Sequence, residues 1–115
     1  EFLPSMQSDI TLHSSDKTLV VDTKYYGEIM QTHFDKKSIR SGHMYQIYTY
    51  VKNLDRDRSG KVSGMLLYAH TEEEIEPDLD VVIDGNRFLV KTLDLNQEFN
   101  AIRAQLNEFI EIIFN

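Results

Sequence analysis

The sequence predicts a single mixed α/β domain, and three observations lead to that prediction. The chain has 115 residues, of which 41% are hydrophobic, which is enough for one compact core. Its apolar residues follow the period of a strand in some segments and of a helix in others, in the order β-β-α-β-β-β-α. There is no cysteine, and no apolar run approaches the ~20 residues of a membrane span. These absences exclude a disulfide scaffold, a thiolate metal site and a transmembrane protein.

The N-terminal third predicts an antiparallel hairpin. Residues 6–12 and 18–26 are rich in β-branched and aromatic side chains, and the five residues between them, 13–17, are polar turn formers. The spacing predicts a turn longer than the tight two-residue kind. Residues 27–40 are polar and predict a loop with at most a short helix, and Ser41 is the predicted N-cap of the helix that follows.

The central segment predicts a helix that crosses between two strands. The apolar positions of this helix recur at helical spacing and are Met44, Ile47, Tyr48, Val51 and Leu54. Residues 55–60 predict a turn, and residues 61–68 predict a buried strand. The turn resembles the opening of a calcium-binding loop, but Leu66 stands at the twelfth position, where such a loop needs a bidentate Glu.

The C-terminal segment predicts a second hairpin followed by a second helix. Residues 79–83 and 87–93 flank Asp84-Gly85-Asn86, which is a strong hairpin signal. Asp94 and Gln97 have the spacing of a capping box. The helix that follows has one broad apolar face, formed by Phe99, Ile102, Leu106, Phe109, Ile110 and Ile113.

The charge distribution is uneven along the chain. The net charge is -7, which argues against nucleic-acid binding because phosphate contacts come from Lys and Arg. Residues 36–61 nevertheless hold seven basic and two acidic side chains. This segment is either an edge that faces a polyanion or a solvated basic loop.

The first hairpin contains the most informative residues. Asp22 and Lys24 are two apart on a predicted strand and therefore lie on the same face, and Asp9 lies on the partner strand. Two carboxylates from neighbouring strands provide the hard oxygen ligands that Mg²⁺ prefers, and an ammonium group beside them can stabilise charge that develops on a phosphate. This set suits phosphodiester hydrolysis. The alternative is an ordinary Asp-Lys pair on a solvent-facing strand.

The order of these motifs resembles the PD-(D/E)xK nuclease superfamily and, more narrowly, the C-terminal nuclease domain of the McrC family. McrC is the endonuclease subunit of the McrBC systems, which restrict DNA carrying modified cytosine. The similarity covers nearly the whole chain, and the runs that carry it are 8–12, 19–26, 43–50, 64–68 and 91–95.

The resemblance implies a role for individual residues. Asp9, Asp22 and Thr23 correspond to the metal-binding positions, Lys24 to the catalytic lysine, and Gln46 to the glutamine of the helix motif of RecB-like nucleases. The DNA-contacting residues would be Lys36, Lys37, Arg40, Lys52 and Tyr50. His43 shares a helix face with Gln46 and Tyr50, and we interpret it as an ordinary helix position.

The implied function is a Mg²⁺-dependent endonuclease domain in a modification-dependent restriction system. It would cut double-stranded DNA in the cytoplasm together with a McrB-like GTPase subunit. The implied fold is restriction-endonuclease-like, a mixed sheet flanked by helices, with residues 1–115 as a fragment of a longer subunit. Two departures are visible: Ser8 replaces the Pro of the family's Pro-Asp pair, and the chain lacks the helix that usually opens the superfamily core before Asp9.

Two alternative functions remain open from the sequence. One is a noncatalytic assembly module that keeps the nuclease fold as a scaffold. The other is a RecB-like nuclease of another DNA-processing system, which the same catalytic residues would serve equally well. Binding of a metal ion at the Asp9 and Asp22 positions distinguishes a nuclease from the assembly module.

Overall fold

The element order predicted from the sequence is confirmed. The structure is a computed structural model, and it describes residues 10–25, 36–70 and 78–115. Its elements are β1 (Ile10–Ser14), β2 (Lys17–Tyr25), α1 (Lys36–Leu54), β3 (Val62–His70), β4 (Leu79–Ile83), β5 (Asn86–Asp94) and α2 (Phe99–Phe114). Asp9 and the residues before it lie outside these described ranges. The sequence prediction that no helix precedes Asp9 therefore falls on residues that the structure does not describe.

The five strands form one mixed sheet in the order β1-β2-β3-β5-β4. The three central strands run parallel, with Asp22 opposite Leu66 and Lys24 opposite Tyr68 in the β2–β3 ladder. Each outer strand pairs antiparallel with its hairpin partner. Helix α1 therefore makes the crossover between β2 and β3 that the sequence predicts.

A hydrophobic core lies on each side of the sheet. The α1 side contains alternate residues of the central strands together with Ile47 and Val51 of the helix, all of them buried. The α2 side contains the intervening strand residues together with Ile113, also buried. Near-continuous apolar runs in β3 and β5 are explained by this burial on both faces.

Helix α1 lies close to the sheet at Gly64 of β3. A Cβ atom at this position would lie 2.8 Å from Ile47 Cγ1 and 3.0 Å from Val51 Cγ2. Because Gly64 has no side chain, α1 can pack closely against β3. This packing fixes the distance between α1 and the residues on that face of β2 and β3.

A buried polar junction joins the end of α1 to the β4–β5 hairpin. The Asp55 carboxylate accepts hydrogen bonds from the backbone N–H groups of Ser59 and Gly60, from the Ser59 hydroxyl and from Asn86 Nδ2, at 2.8 to 2.9 Å. Asn86 Nδ2 also donates to the Val62 carbonyl at 2.8 Å. Both Asp55 and Asn86 are buried. Hydrogen bonds, above all that from Asn86, hold the pKa of Asp55 well below its ordinary value despite the burial.

The predicted second hairpin is confirmed, and its pairing extends to Asn86. Asp84 and Gly85 form a two-residue loop, and both have positive φ, 52° and 86°. That backbone is the type I′ turn that matches the twist of the paired strands.

Two local predictions about the N-terminal half are wrong. The first hairpin has a two-residue turn, Ser15 and Asp16, because the pairing continues to Ser14 and Lys17 instead of stopping five residues apart. Helix α1 begins at Lys36, so Ser41 lies inside the helix and is not its N-cap. In the first hairpin, strand pairing outweighs the local preference of polar residues for a longer loop.

Three side-chain predictions are also wrong. Leu54 is 47% exposed and Phe99 is 72% exposed, because each lies at the end of its helix, beyond the sheet surface that covers the middle turns. Helix α2 starts after Glu98, with no side-chain cap. Asp94 does bond to Gln97, at 2.9 Å, but as the last residue of β5 it stabilises the turn and not the helix end.

The carbonyl groups at the end of α2 receive cations from the sheet. Lys17 Nζ donates to the Ile113 carbonyl at 3.3 Å, and Arg87 Nη1 donates to the Ile112 carbonyl at 3.2 Å. The last turn of α2 has no basic residue of its own, so these two strand residues complement the negative end of the helix dipole. Among the described residues, neither helix has the length and apolar character needed to cross a bilayer.

We expect Asp55→Asn to lower the free energy of unfolding at neutral pH by about 2–3 kcal/mol, because the amide NH₂ group would face donors that now point at a carboxylate. The stabilisation by the depressed pKa of Asp55 is complete above the ordinary Asp value of about 3.9 and is lost as the pH falls below it. Urea unfolding from pH 7 to pH 3 should therefore show the difference between variant and wild type shrinking below about pH 4. Asp57→Asn, an exposed position in the same turn, is the control and should change stability little; equal effects of the two substitutions would contradict the role of the junction.

Candidate active site

Asp22 and Lys24 form an ion pair near the carboxyl end of β2. Their side chains project from the same face of the sheet as the buried Val20, and Lys24 Nζ lies 3.3 Å from Asp22 Oδ2. The carboxylate is 19% exposed and the ammonium side chain 29%. The sequence prediction that the two charges share one face is confirmed, and both remain partly open to solvent.

Asp22 borders the hydrophobic core on the α1 side. It lies beside Leu66 in the parallel ladder, and Leu66 is fully buried in that core. Placing charges next to such a core costs free energy, which their interactions with each other and with solvent must offset. The carboxyl ends of parallel strands are also where α/β sheets bind their ligands.

His43 and Tyr68 form the wall of the site next to Lys24. Tyr68, fully buried, is the β3 partner of Lys24, and its hydroxyl lies 2.9 Å from His43 Nδ1 of α1. The two rings are tilted by 40° with centroids 5.8 Å apart. Burial, and then the positive charge of Lys24, lower the pKa of His43, so the imidazole is neutral at pH 7.

The sequence does not predict that His43 lies at this site. It predicts an ordinary helix position for His43, whereas Gln46, to which the resemblance gives a role, is exposed on α1. The sequence offers only a weak signal that His43 lies at the site, namely its position one helical turn before Gln46. The sequence also does not show that Tyr68, the partner of His43, lies next to Lys24, because this depends on the register between β2 and β3.

The predicted DNA-contacting residues lie on α1, but they differ in their surroundings. Arg40 is half-buried in the first half of the helix, and Lys36 and Lys37 belong to its first turn. Tyr50 is half-buried and packs against the core on the α1 side. Lys52 donates to the Asp84 carbonyl and to Asn86 Oδ1, both at 2.8 Å, so its ammonium group holds the β4–β5 turn.

The predicted metal ligands are only partly described. Asp9 lies outside the described residues. Thr23 alternates onto the face opposite Asp22, so only its backbone can join the Asp22 side of the sheet. Among the described residues, no group of three or more His, Cys, Asp or Glu side chains is arranged to hold a metal ion. Asp22 is a hard oxygen donor, and Mg²⁺ is usually held by one or two carboxylates with waters and substrate oxygens. The part of the site that is described is compatible with that ion.

The mixed sheet between two helices, with an Asp-x-Lys pair at the carboxyl end of β2, defines an α/β domain of the restriction-endonuclease-like class. Comparison with known proteins specifies the family. The model of the family described as McrBC 5-methylcytosine restriction system component matches residues 3–69. The chain is also 30% identical over 109 residues to the type IV methyl-directed restriction enzyme EcoKMcrBC of Escherichia coli strain K12.

The chain therefore belongs to the McrBC restriction system component family, and the resemblance to McrC found in the sequence is confirmed. The alignment with the E. coli protein covers 95% of this chain and 31% of that protein. The chain thus spans about a third of the length of this relative.

The contacts of Lys52 lead to a prediction about stability. Lys52→Ala should lower the free energy of unfolding by about 1–2 kcal/mol, because it removes two hydrogen bonds and an ion pair with Asp84 that hold the β4–β5 turn. Lys61→Ala is a matched control, since Lys61 forms an exposed ion pair with Asp16 and such pairs contribute little. Urea denaturation of both variants measures the difference. Equal stabilities of the two variants would show that Lys52 has no structural role.

Proposed function

We propose that this chain is the Mg²⁺-dependent DNA endonuclease domain of a modification-dependent restriction system. The observation that carries the proposal is the Asp22–Lys24 pair, which lies 3.3 Å apart and partly exposed at the carboxyl end of a parallel strand. The family to which the chain belongs supports the same function.

We infer that Asp22, Asp9 and the backbone carbonyl of Thr23 hold the metal ion. Asp9 directly precedes Ile10, and Ile10 pairs with Val21, the residue before Asp22. The two acids thus flank the same rung of the antiparallel β1–β2 ladder in sequence, which supports their assignment to one site. Bound Mg²⁺ would lower the pKa of a coordinated water and neutralise charge on the phosphate.

Lys24 provides the positive charge in the same site. Its ammonium group is held on the Asp22 side by the ion pair and is partly solvated. From this position it can donate hydrogen bonds to a phosphate oxygen and stabilise the negative charge that grows during attack on phosphorus. It can also orient the attacking water by donating a hydrogen bond to it.

The DNA backbone would be held along α1. Lys36, Lys37 and Arg40 lie in the same half of α1 as His43, which borders the site. In this proposal they contact phosphates, Gln46 and Tyr50 border the site, and Lys52 acts mainly through the β4–β5 turn. Phosphate contacts of this kind position DNA without reading its sequence.

A partner subunit would supply affinity and recognition of the modified base. The net charge of -7 opposes binding to a polyanion, and a few phosphate contacts lose strength as salt rises. We therefore propose that the domain acts with a GTPase subunit of the McrB type, in the cytoplasm where such DNA would be met. By itself it should bind DNA weakly at physiological salt.

Substitution of the ion pair tests the function directly. Asp22→Asn and Lys24→Met, each in the full-length protein assembled with its partner, should lower the rate of methylated-DNA cleavage by on the order of 10²-fold or more. Both side chains lie at the margin of the core, so melting temperatures and assembly should change little.

Two controls match these variants in chemistry. Asp78→Asn and Lys61→Met alter ion pairs that include neither Asp22 nor Lys24, and we expect both variants to cleave at the wild-type rate. Cleavage by the Asp22→Asn protein at the wild-type rate would reject the proposed function and favour a noncatalytic assembly module.

A further inference from the structure

The hydrogen bond between His43 and Tyr68 has no role in the proposed chemistry, yet it lies beside the proposed catalytic lysine. It joins α1 to β3 at 2.9 Å, and it does so at the residue that is paired with Lys24 in the β2–β3 ladder. Tyr68 is fully buried, and a buried hydroxyl group needs a hydrogen-bond partner.

The bond fixes one side of the space in which Lys24 can move. Neighbouring residues of a parallel ladder have side chains on the same face, so the Tyr68 ring stands next to the Lys24 stem. The imidazole of His43 approaches the same place from the helix, because it bonds to the Tyr68 hydroxyl at 2.9 Å. Asp22 attracts the ammonium group from the other direction along β2, at 3.3 Å.

The groups on the two sides of Lys24 differ in charge. A neutral imidazole and a phenol do not attract an ammonium group as a carboxylate does, so the free energy of the Lys24 side chain is lowest on the Asp22 side. A loose α1 would open a second region next to Tyr68, into which a flexible lysine could turn. The close contact of α1 with Gly64 holds the helix at one end of β3, and His43 holds it at the other.

We propose that His43 is a positioning residue that, through its bond to the Tyr68 hydroxyl, confines the Lys24 ammonium group to the side of Asp22. His43 itself touches neither the metal site nor the DNA in this proposal. The expected effect on DNA cleavage rests on the proposed function, but the confinement of Lys24 can be measured without cleavage.

The first measurement is the chemical reactivity of Lys24 in the full-length protein. A small amine-acylating reagent is added, and the rate of modification of each lysine is followed by mass spectrometry, with the exposed Lys61 as internal reference. His43→Ala and Tyr68→Phe should each raise the acylation rate of Lys24 several-fold, because each removes the bond and releases the side chain. His43→Asn should stay near wild type, since its amide group can occupy the position of Nδ1 and bond to Tyr68.

The second measurement is the kinetics of DNA cleavage by the assembled protein. His43→Ala and Tyr68→Phe should lower kcat by about 10-fold to 100-fold while leaving KM for DNA unchanged, and the double variant should be no worse than either single one. His43→Asn should restore most of kcat, which a purely structural defect would not explain. Tyr45→Phe, which removes an exposed hydroxyl group from the same helix, is the control.

The outcomes separate the two proposals. Unchanged Lys24 acylation in the folded Tyr68→Phe protein overturns the positioning role, whatever the cleavage rates are. Faster Lys24 acylation in a protein whose wild type shows no Mg²⁺-dependent cleavage supports the positioning of Lys24 and overturns the proposed function alone.

Discussion

The parallel pairing of β2 with β3 is the contact on which the rest of the structure depends. It places Asp22 beside Leu66 and Lys24 beside Tyr68, and it requires the crossover helix α1 that covers this face of the sheet. Gly64 lets the helix lie close to β3. The same ladder that builds the core therefore also sets the distance between α1 and the two charged residues of the proposed site.

Two polar sites of this domain differ in their exposure. At the Asp55 junction a buried carboxylate accepts hydrogen bonds from the loop after α1 and from the first residue of β5, which makes it a structural connection between α1 and the β4–β5 hairpin. The Asp22–Lys24 pair is instead partly solvated and lies where the parallel strands end. Groups that remain accessible to solvent can exchange water for a ligand. The Asp55 carboxylate could bind a ligand only by losing buried hydrogen bonds, which would cost free energy.

Local patterns predicted those features that depend on neighbours in sequence. Alternation placed Asp22 and Lys24 on one face, helical spacing found the buried Ile47 and Val51, and Asp84-Gly85 marked the hairpin turn. Features that depend on register or on tertiary packing were not predictable. The bond between His43 and Tyr68 joins residues 25 apart, and that between Asn86 and Asp55 joins residues 31 apart. Helix α1 likewise begins at Lys36, five residues before the capping signal at Ser41.

A crystal of the full-length protein soaked in Mn²⁺ tests most directly whether Asp22 binds a divalent metal ion for phosphodiester hydrolysis. We expect an anomalous peak within coordination distance of the Asp22 carboxylate, with Asp9 and the Thr23 carbonyl as further ligands. The peak should disappear in crystals of the Asp22→Asn variant. Density for Mn²⁺ only at other sites at saturating metal, with the Asp22 carboxylate still paired with Lys24, would show that Asp22 does not hold the metal ion.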